Sequence, residues 1–127
     1  MLTKEKALVA YAKMLNSFSV SHLEPLLAED FHYASQWVFE EITSKQDYLE
    51  YIAPKLLAVK NSTSTVFAEM GSLDAEFPGP CVVLAQDEKD NLIATVLVEV
   101  ENNKIKRIDL GFIPSPHSVK RTSIYPI

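Results

Sequence analysis

The chain has 127 residues, 47% of them hydrophobic and 23% charged, with a formal net charge of −5. That size and balance suit one globular domain with a genuine core, and they exclude a fibrous repeat or a disordered tract. With 12 Lys and Arg against 17 Asp and Glu, no basic field exists to gather phosphates, so no nucleic-acid partner is expected.

The first segment, Met1 to Lys6, carries acid and base and has no apolar h-region, so it does not read as a secretory signal. No stretch approaches the ~18 apolar residues of a membrane span, and the cytoplasm is the expected location. From there Ala7, Leu8, Tyr11, Met14, Leu15 and Phe18 recur every three or four residues, with Lys4, Lys6 and Lys13 off the stripe. This is the period of an amphipathic helix. Ser21 and Glu24 have capping-box spacing ahead of Leu23, Leu26 and Leu27, which predicts a short second helix ending near Asp30 with Pro25 in its first turn.

At Phe31 the period changes to two. Phe31, Tyr33, Ser35, Trp37 and Phe39 share one face of a strand, and His32, Ala34, Gln36, Val38 and Glu40 share the other. Thr43 and Gln46 repeat the capping-box spacing, and Tyr48, Leu49, Ile52, Leu56 and Val59 continue a third helix, with a bend expected at Pro54.

Residues 63–73, 81–86, 92–100 and 104–113 are rich in Val, Ile, Leu, Thr and Phe and are separated by turn-forming residues at 76–80, 87–91 and 102–103. They predict four strands pairing antiparallel as a meander. Cys81 lies in one of these apolar runs and reads as core rather than nucleophile. A lone cysteine also excludes an internal disulfide, and no Cys/His spacing suggests a zinc site, so no metal or other cofactor is expected. The Pro-punctuated segment 114–127 is expected to leave the sheet and run extended over the surface.

The order helix, helix, strand, helix and four meandering strands, together with the junction Leu27-Ala28-Glu29-Asp30-Phe31, resembles the nuclear-transport-factor-two-like superfamily, which includes ketosteroid isomerases and polyketide-cyclase-like (SnoaL-like) proteins. The resemblance covers residues from about 3 to 113. It implies an α+β fold, a curved antiparallel sheet forming a cone packed against three N-terminal helices. It also implies a cone that admits an apolar ligand and an outer sheet face that makes a homodimer. Tyr11 matches the oxyanion-hole tyrosine of the isomerases. The position of their catalytic aspartate, however, holds Ser35, and the position of their protonated acid falls near Val96. Neither side chain can do that chemistry.

Tyr33, Ser35 and Trp37, lined up with Tyr11, would give an aromatic wall with several hydroxyls and an indole N–H. Leu15, Ile52, Ile108, Leu110 and Phe112 complete the expected ligand-binding set, and a filled aromatic core is the alternative. His32, on the opposite phase, is a candidate base because an unperturbed imidazole titrates near neutrality. Asp109 is a second candidate. With Ile108, Leu110 and Phe112 facing in, Arg107 and Asp109 face out, near Glu99 or a second subunit, and Asp109 would enter the cone only after a one-residue slip. Glu69 is a third candidate if its strand, whose phase the sequence leaves open, turns it inward. Glu40 and Glu41 adjoin the expected mouth and read as a solvated turn.

Two functions follow as expectations. The first is a single domain over residues 1–113 that binds a small apolar molecule, with cofactor-independent hydrolase or isomerase activity as its enzymatic form. The alternative is a non-enzymatic homodimeric interaction or immunity-type module using the outer face around Thr95, Leu97 and Glu99.

Overall fold

In this computed structural model the described residues are 1–37, 40–74 and 78–127. Helix α1 spans Lys4–Ser17, opened by the Thr3 hydroxyl accepting from the Lys6 amide at 3.1 Å and closed by Phe18 in the left-handed region at φ 55. Its stripe is buried as expected: Ala7, Leu8, Tyr11 and Met14 all face the core.

The expected second helix forms only as two 3₁₀ turns, Val20–His22 and Glu24–Leu26, and strand β1, Leu27–Ser35, begins four residues before the change of period at Phe31. Pro25 supplies no amide, and the Leu27 backbone is already extended, so an α-helix has no room to propagate. Helix α2 spans Lys45–Lys60. Its N-cap is Ser44, not Thr43, with the Ser44 hydroxyl accepting from the Asp47 amide at 3.1 Å. It runs through Pro54, which sits on the exposed face, while Tyr48, Ile52 and Leu56 are buried one turn apart.

The remaining strands are β2 (Val66–Leu73), β3 (Gly79–Gln86), β4 (Leu92–Glu101), β5 (Lys104–Gly111) and β6 (Lys120–Arg121). β2 to β5 form the expected antiparallel meander, and Asn102 and Asn103, at φ 52 and 64, make the two-residue turn between β4 and β5. The whole sheet is curved, unclosed and mixed rather than antiparallel throughout, in the order β1-β5-β4-β3-β2-β6. β1 lies parallel to β5, with Tyr33 opposite Ile108 and Ser35 opposite Leu110. Hairpin turns force neighbours in the meander to run antiparallel. No such turn joins β1 to β5, so β1 is free to take the other direction. Val38 and Phe39, assigned above to the first strand, and Glu76 and Phe77 of the 76–80 turn lie outside the described residues.

The register settles both faces. Tyr33, Ala68, Met70, Val82, Val96, Val98, Ile108 and Leu110 point inward and build the main core under α1 and α2. Leu73, Cys81, Val83 and Val119 form a second, smaller core on the outer face.

Val119 belongs to the segment expected to leave the sheet. Instead, that segment returns to it. β6 pairs with β2 at Gly71 and Ser72, the Met70 amide donates to the Ile124 carbonyl at 2.9 Å, and the Thr122 hydroxyl donates to the Met70 carbonyl at 2.6 Å. Gly71 permits this close approach, because a β-carbon there would collide with Val119 Cγ1. Asn16 fastens the end of the chain from the helix side, donating to the carbonyls of Ala68 at 2.9 Å and Pro126 at 2.7 Å.

Candidate functional site

Between α1, α2 and the inner face of the sheet lies a cavity of about 500 Å³. Helix α1 contributes Tyr11 and Leu15, β1 contributes Tyr33 and Ser35, α2 contributes Ile52, and β5 contributes Leu110. Trp37 and Phe112, 54% and 43% exposed, form part of its rim. The rim is tied together by Gln36, whose side-chain oxygen accepts from the Phe112 amide at 3.2 Å and whose own amide donates to the Leu110 carbonyl at 3.3 Å.

Eight of the nine residues expected to line the cone therefore surround one space, the exception being Ile108, which is fully buried in the core and does not reach it. Periodicity on single elements missed Tyr51 and Lys55, along with Gln86 and Ile93. Tyr51 and Lys55 could have been found, since they are four apart on α2 and flank the stripe of Tyr48 and Ile52.

The wall is aromatic, and two of its phenols are held neutral. Tyr33 packs on Tyr48 at 5.0 Å and on Tyr51 at 5.7 Å between ring centroids, and Phe31 meets Tyr48 edge-on at 5.0 Å. Burial, and after it the neighbouring phenols, pushes Tyr11 and Tyr33 well above the usual phenol range. Both remain proton donors at any physiological pH. The Tyr48 hydroxyl is buried with no hydrogen-bond partner among the described residues. Lys55 lies at the cavity edge, its ammonium donating to the Tyr51 hydroxyl at 2.7 Å and 4.9 Å from the Tyr51 ring centroid.

The three candidate bases stand elsewhere, all on the outer face. His32 and Asp109 belong to a surface ladder, in which His32 Nδ1 lies 2.7 Å from Glu41, Arg107 donates to Glu41 at 2.7 Å, and Arg107 Nε binds Asp109 at 2.9 Å. Arg107, and after it His32, holds the Glu41 carboxyl below its ordinary range. Arg107 thus takes Asp109 and Glu41 as partners rather than Glu99.

The phase of β2 puts Glu69 outside as well, opposite Val83, yet it is only 2% exposed because the C-terminal segment covers it. It accepts from Arg121 Nε at 2.9 Å, the Ser123 amide at 2.8 Å and the Tyr125 hydroxyl at 3.2 Å, which satisfies it as a structural carboxylate. Burial pushes the Cys81 thiol up to about 11. Among the described residues no cluster of three or more His, Cys, Asp or Glu could hold a metal ion, and no helix is long and apolar enough to cross a membrane.

These observations define the class: an α+β cone with a cavity under a curved sheet, the nuclear-transport-factor-two-like fold. Solved structures share it across nearly the whole chain. A nuclear-transport-factor-two-like protein of unknown function from Cytophaga hutchinsonii aligns at a TM-score of 0.59 and 12% identity, covering 90% of this chain and 95% of that one. A protein with a ketosteroid-isomerase-like fold from Catenulispora acidiphila, in complex with trimethylamine, aligns at 0.56 and 15% identity, covering 92% and 91%. A de novo designed protein with a curved β-sheet aligns at 0.59 and 18%, covering 86% of each chain. No family model matches the sequence, and no curated protein matches it. Identities this low establish the fold and nothing finer.

Proposed function

We propose that this protein is a binding domain for a small apolar molecule held in the aromatic cavity. One observation carries the reading: a cavity of about 500 Å³, within the range of small-molecule sites, opens at a rim of exposed Trp37 and Phe112. A core filled by its own rings would leave no such space. The complex of a like-folded protein with trimethylamine supports a ligand role for this fold. Binding is favoured over hydrolase or isomerase chemistry because the described lining contains neither carboxylate nor imidazole, and His32, Glu69 and Asp109 lie on the other side of the sheet. A reducing, cytoplasmic setting accords with the single buried thiol of Cys81.

Native mass spectrometry of protein purified from its host tests the reading, paired with Val59→Trp, which places an indole into the cavity from a half-buried position on α2. The expected result is a retained small molecule that the variant no longer carries. Equal retention by a folded variant, or a bare protein whose melting temperature no apolar compound raises, would overturn it.

A second reading, a homodimer through the outer face, has one observation in its favour. Ala34, Thr95, Leu97 and Ile113 border a shallow groove there, and Ile113 is 87% exposed. The C-terminal segment already covers β2, β3 and part of β4 on this face, so self-association would use the rest of β4 with β5 and β1. Sedimentation at micromolar concentration should then show a dimer that Ile113→Asp dissolves.

A further inference from the structure

The cavity wall is nearly free of charge, and the one charge on it has a definite place. Among the described residues that line it, Lys55 is the one basic side chain, and no acidic side chain faces it across the space. Its ammonium is fixed rather than free, because the Tyr51 hydroxyl, one turn back on α2, accepts one of its protons at 2.7 Å. A phenol oxygen that accepts from an ammonium has its own proton left to donate. Lys55 and Tyr51 thus present two donors side by side at the edge of an apolar chamber. The other polar side chains of the lining, the hydroxyls of Tyr11, Tyr33 and Ser35 and the Gln86 amide, are uncharged.

We infer that the cavity selects an apolar monoanion, a carboxylic acid with an aliphatic or aromatic body, whose carboxylate rests on Lys55 and the Tyr51 hydroxyl while the body lies among Tyr11, Tyr33 and Leu84. The inference rests on the binding role proposed above and names the chemistry of its ligand. A carboxylate matches paired N–H and O–H donors, and such charge-assisted bonds are stronger than neutral ones. At the border of a low-dielectric space the attraction is screened less than on open surface. An apolar amine is disfavoured by the same ammonium. The trimethylamine bound by the like-folded protein, at 15% identity, sets no ligand class here.

Decanoate, decanol and decylamine, titrated separately into the full chain at neutral pH by calorimetry, form the test. Decanoate should bind about tenfold more tightly than decanol, as a hydrogen bond to a charged group would give. Decylamine should bind most weakly. Lys55→Met, which keeps an apolar stem at an exposed position, should erase the preference for the acid, bringing decanoate affinity down to that of decanol. Val59→Trp should weaken all three. Equal binding of acid and alcohol, a preference that survives Lys55→Met, or tighter binding of the amine would overturn the anion assignment while the cavity reading stands. If none of the three binds, or if a folded Val59→Trp protein binds them unchanged, the cavity reading falls and the assignment with it.

Discussion

One sheet in this molecule has two faces built on opposite principles. The inner face encloses space: Tyr11, Tyr33 and Tyr51 border a cavity, their packing leaves it open, and Lys55 is its single described charge. The outer face abolishes space. The chain end folds back over it, Val119 fills a small core with Cys81 and Val83, and a buried carboxylate receives all its donors from residues 121–125. Where the C-terminal segment does not reach, the outer face is covered by a charged ladder from His32 to Asp109. Among the described residues no carboxylate lines the cavity.

If the outer seal is structural, breaking it should cost more than any change around the cavity. Arg121→Met leaves the segment in place but takes from Glu69 its ionic partner, so that a carboxylate only 2% exposed is left against Val83. Breaking such a site typically costs about 3–5 kcal/mol, and urea denaturation should show a loss of that order. A loss under about 1 kcal/mol would mean that the segment merely lies on the surface. Trp37→Ala, by contrast, removes a side chain that is 54% exposed and should leave the denaturation midpoint nearly unchanged while weakening ligand binding.

Gly71→Ala sharpens the same comparison at smaller scale. The added methyl meets Val119 Cγ1 and sits 3.1 Å from the Lys120 carbonyl oxygen, so β6 must shift, at a cost of about 1–3 kcal/mol. Proton exchange should quicken at the β2–β6 pairing and at the Cys81 amide but not on α1. Uniform quickening would show that the two faces do not open separately.

Much of the inner face was legible in the sequence because it follows from periodicity. The α1 stripe, the alternation from Phe31 to Ser35 and the meander each leave a local pattern. The outer face was not. Nothing near residue 69 announces that Arg121, Ser123 and Tyr125 return to it across more than fifty positions, and a polar, Pro-punctuated tail reads the same whether it is free or docked. The phase of β2 was ambiguous for a related reason: both of its faces are buried, one by α1 and the other by the tail, so both are apolar. Ser21 to Asp30 misled because capping-box spacing and leucines are also compatible with two 3₁₀ turns entering a strand. Tyr51 and Lys55 escaped notice because a cavity has edges that a single helical stripe does not include.

Each face also holds one buried hydroxyl without a partner among the described residues, Tyr48 inside and Thr95 outside. Tyr48→Phe and Thr95→Val keep the shape and remove the unsatisfied donor, so each should be neutral or stabilising by up to about 1 kcal/mol. A clear loss in either would show that the hydroxyl has a partner in solution. Water reaching the outer groove would make Thr95→Val the costlier of the two.

The smallest effects separate the faces by pH. On the outer face the folded state holds Glu41 below its ordinary range, through Arg107 first and His32 second. A carboxyl shifted down contributes stability that is present above its unfolded pKa and lost as pH falls through the folded one, so acid works on the outer ladder. On the inner face Tyr11, Tyr33 and Tyr48 are shifted up by burial. Their contribution is complete below the unfolded phenol pKa and is lost as pH rises past it, so alkali works on the cavity wall. Carboxyl NMR should find that Arg107→Gln returns the Glu41 midpoint toward normal by more than His32→Gln does. Phenolate absorbance should show these three tyrosines ionising only as the protein unfolds. If His32→Gln had the larger effect, the imidazole rather than the guanidinium would anchor the ladder. If the cavity tyrosines ionised in the folded protein, the chamber would be wetter than its walls imply, and the case for an apolar ligand would weaken with it.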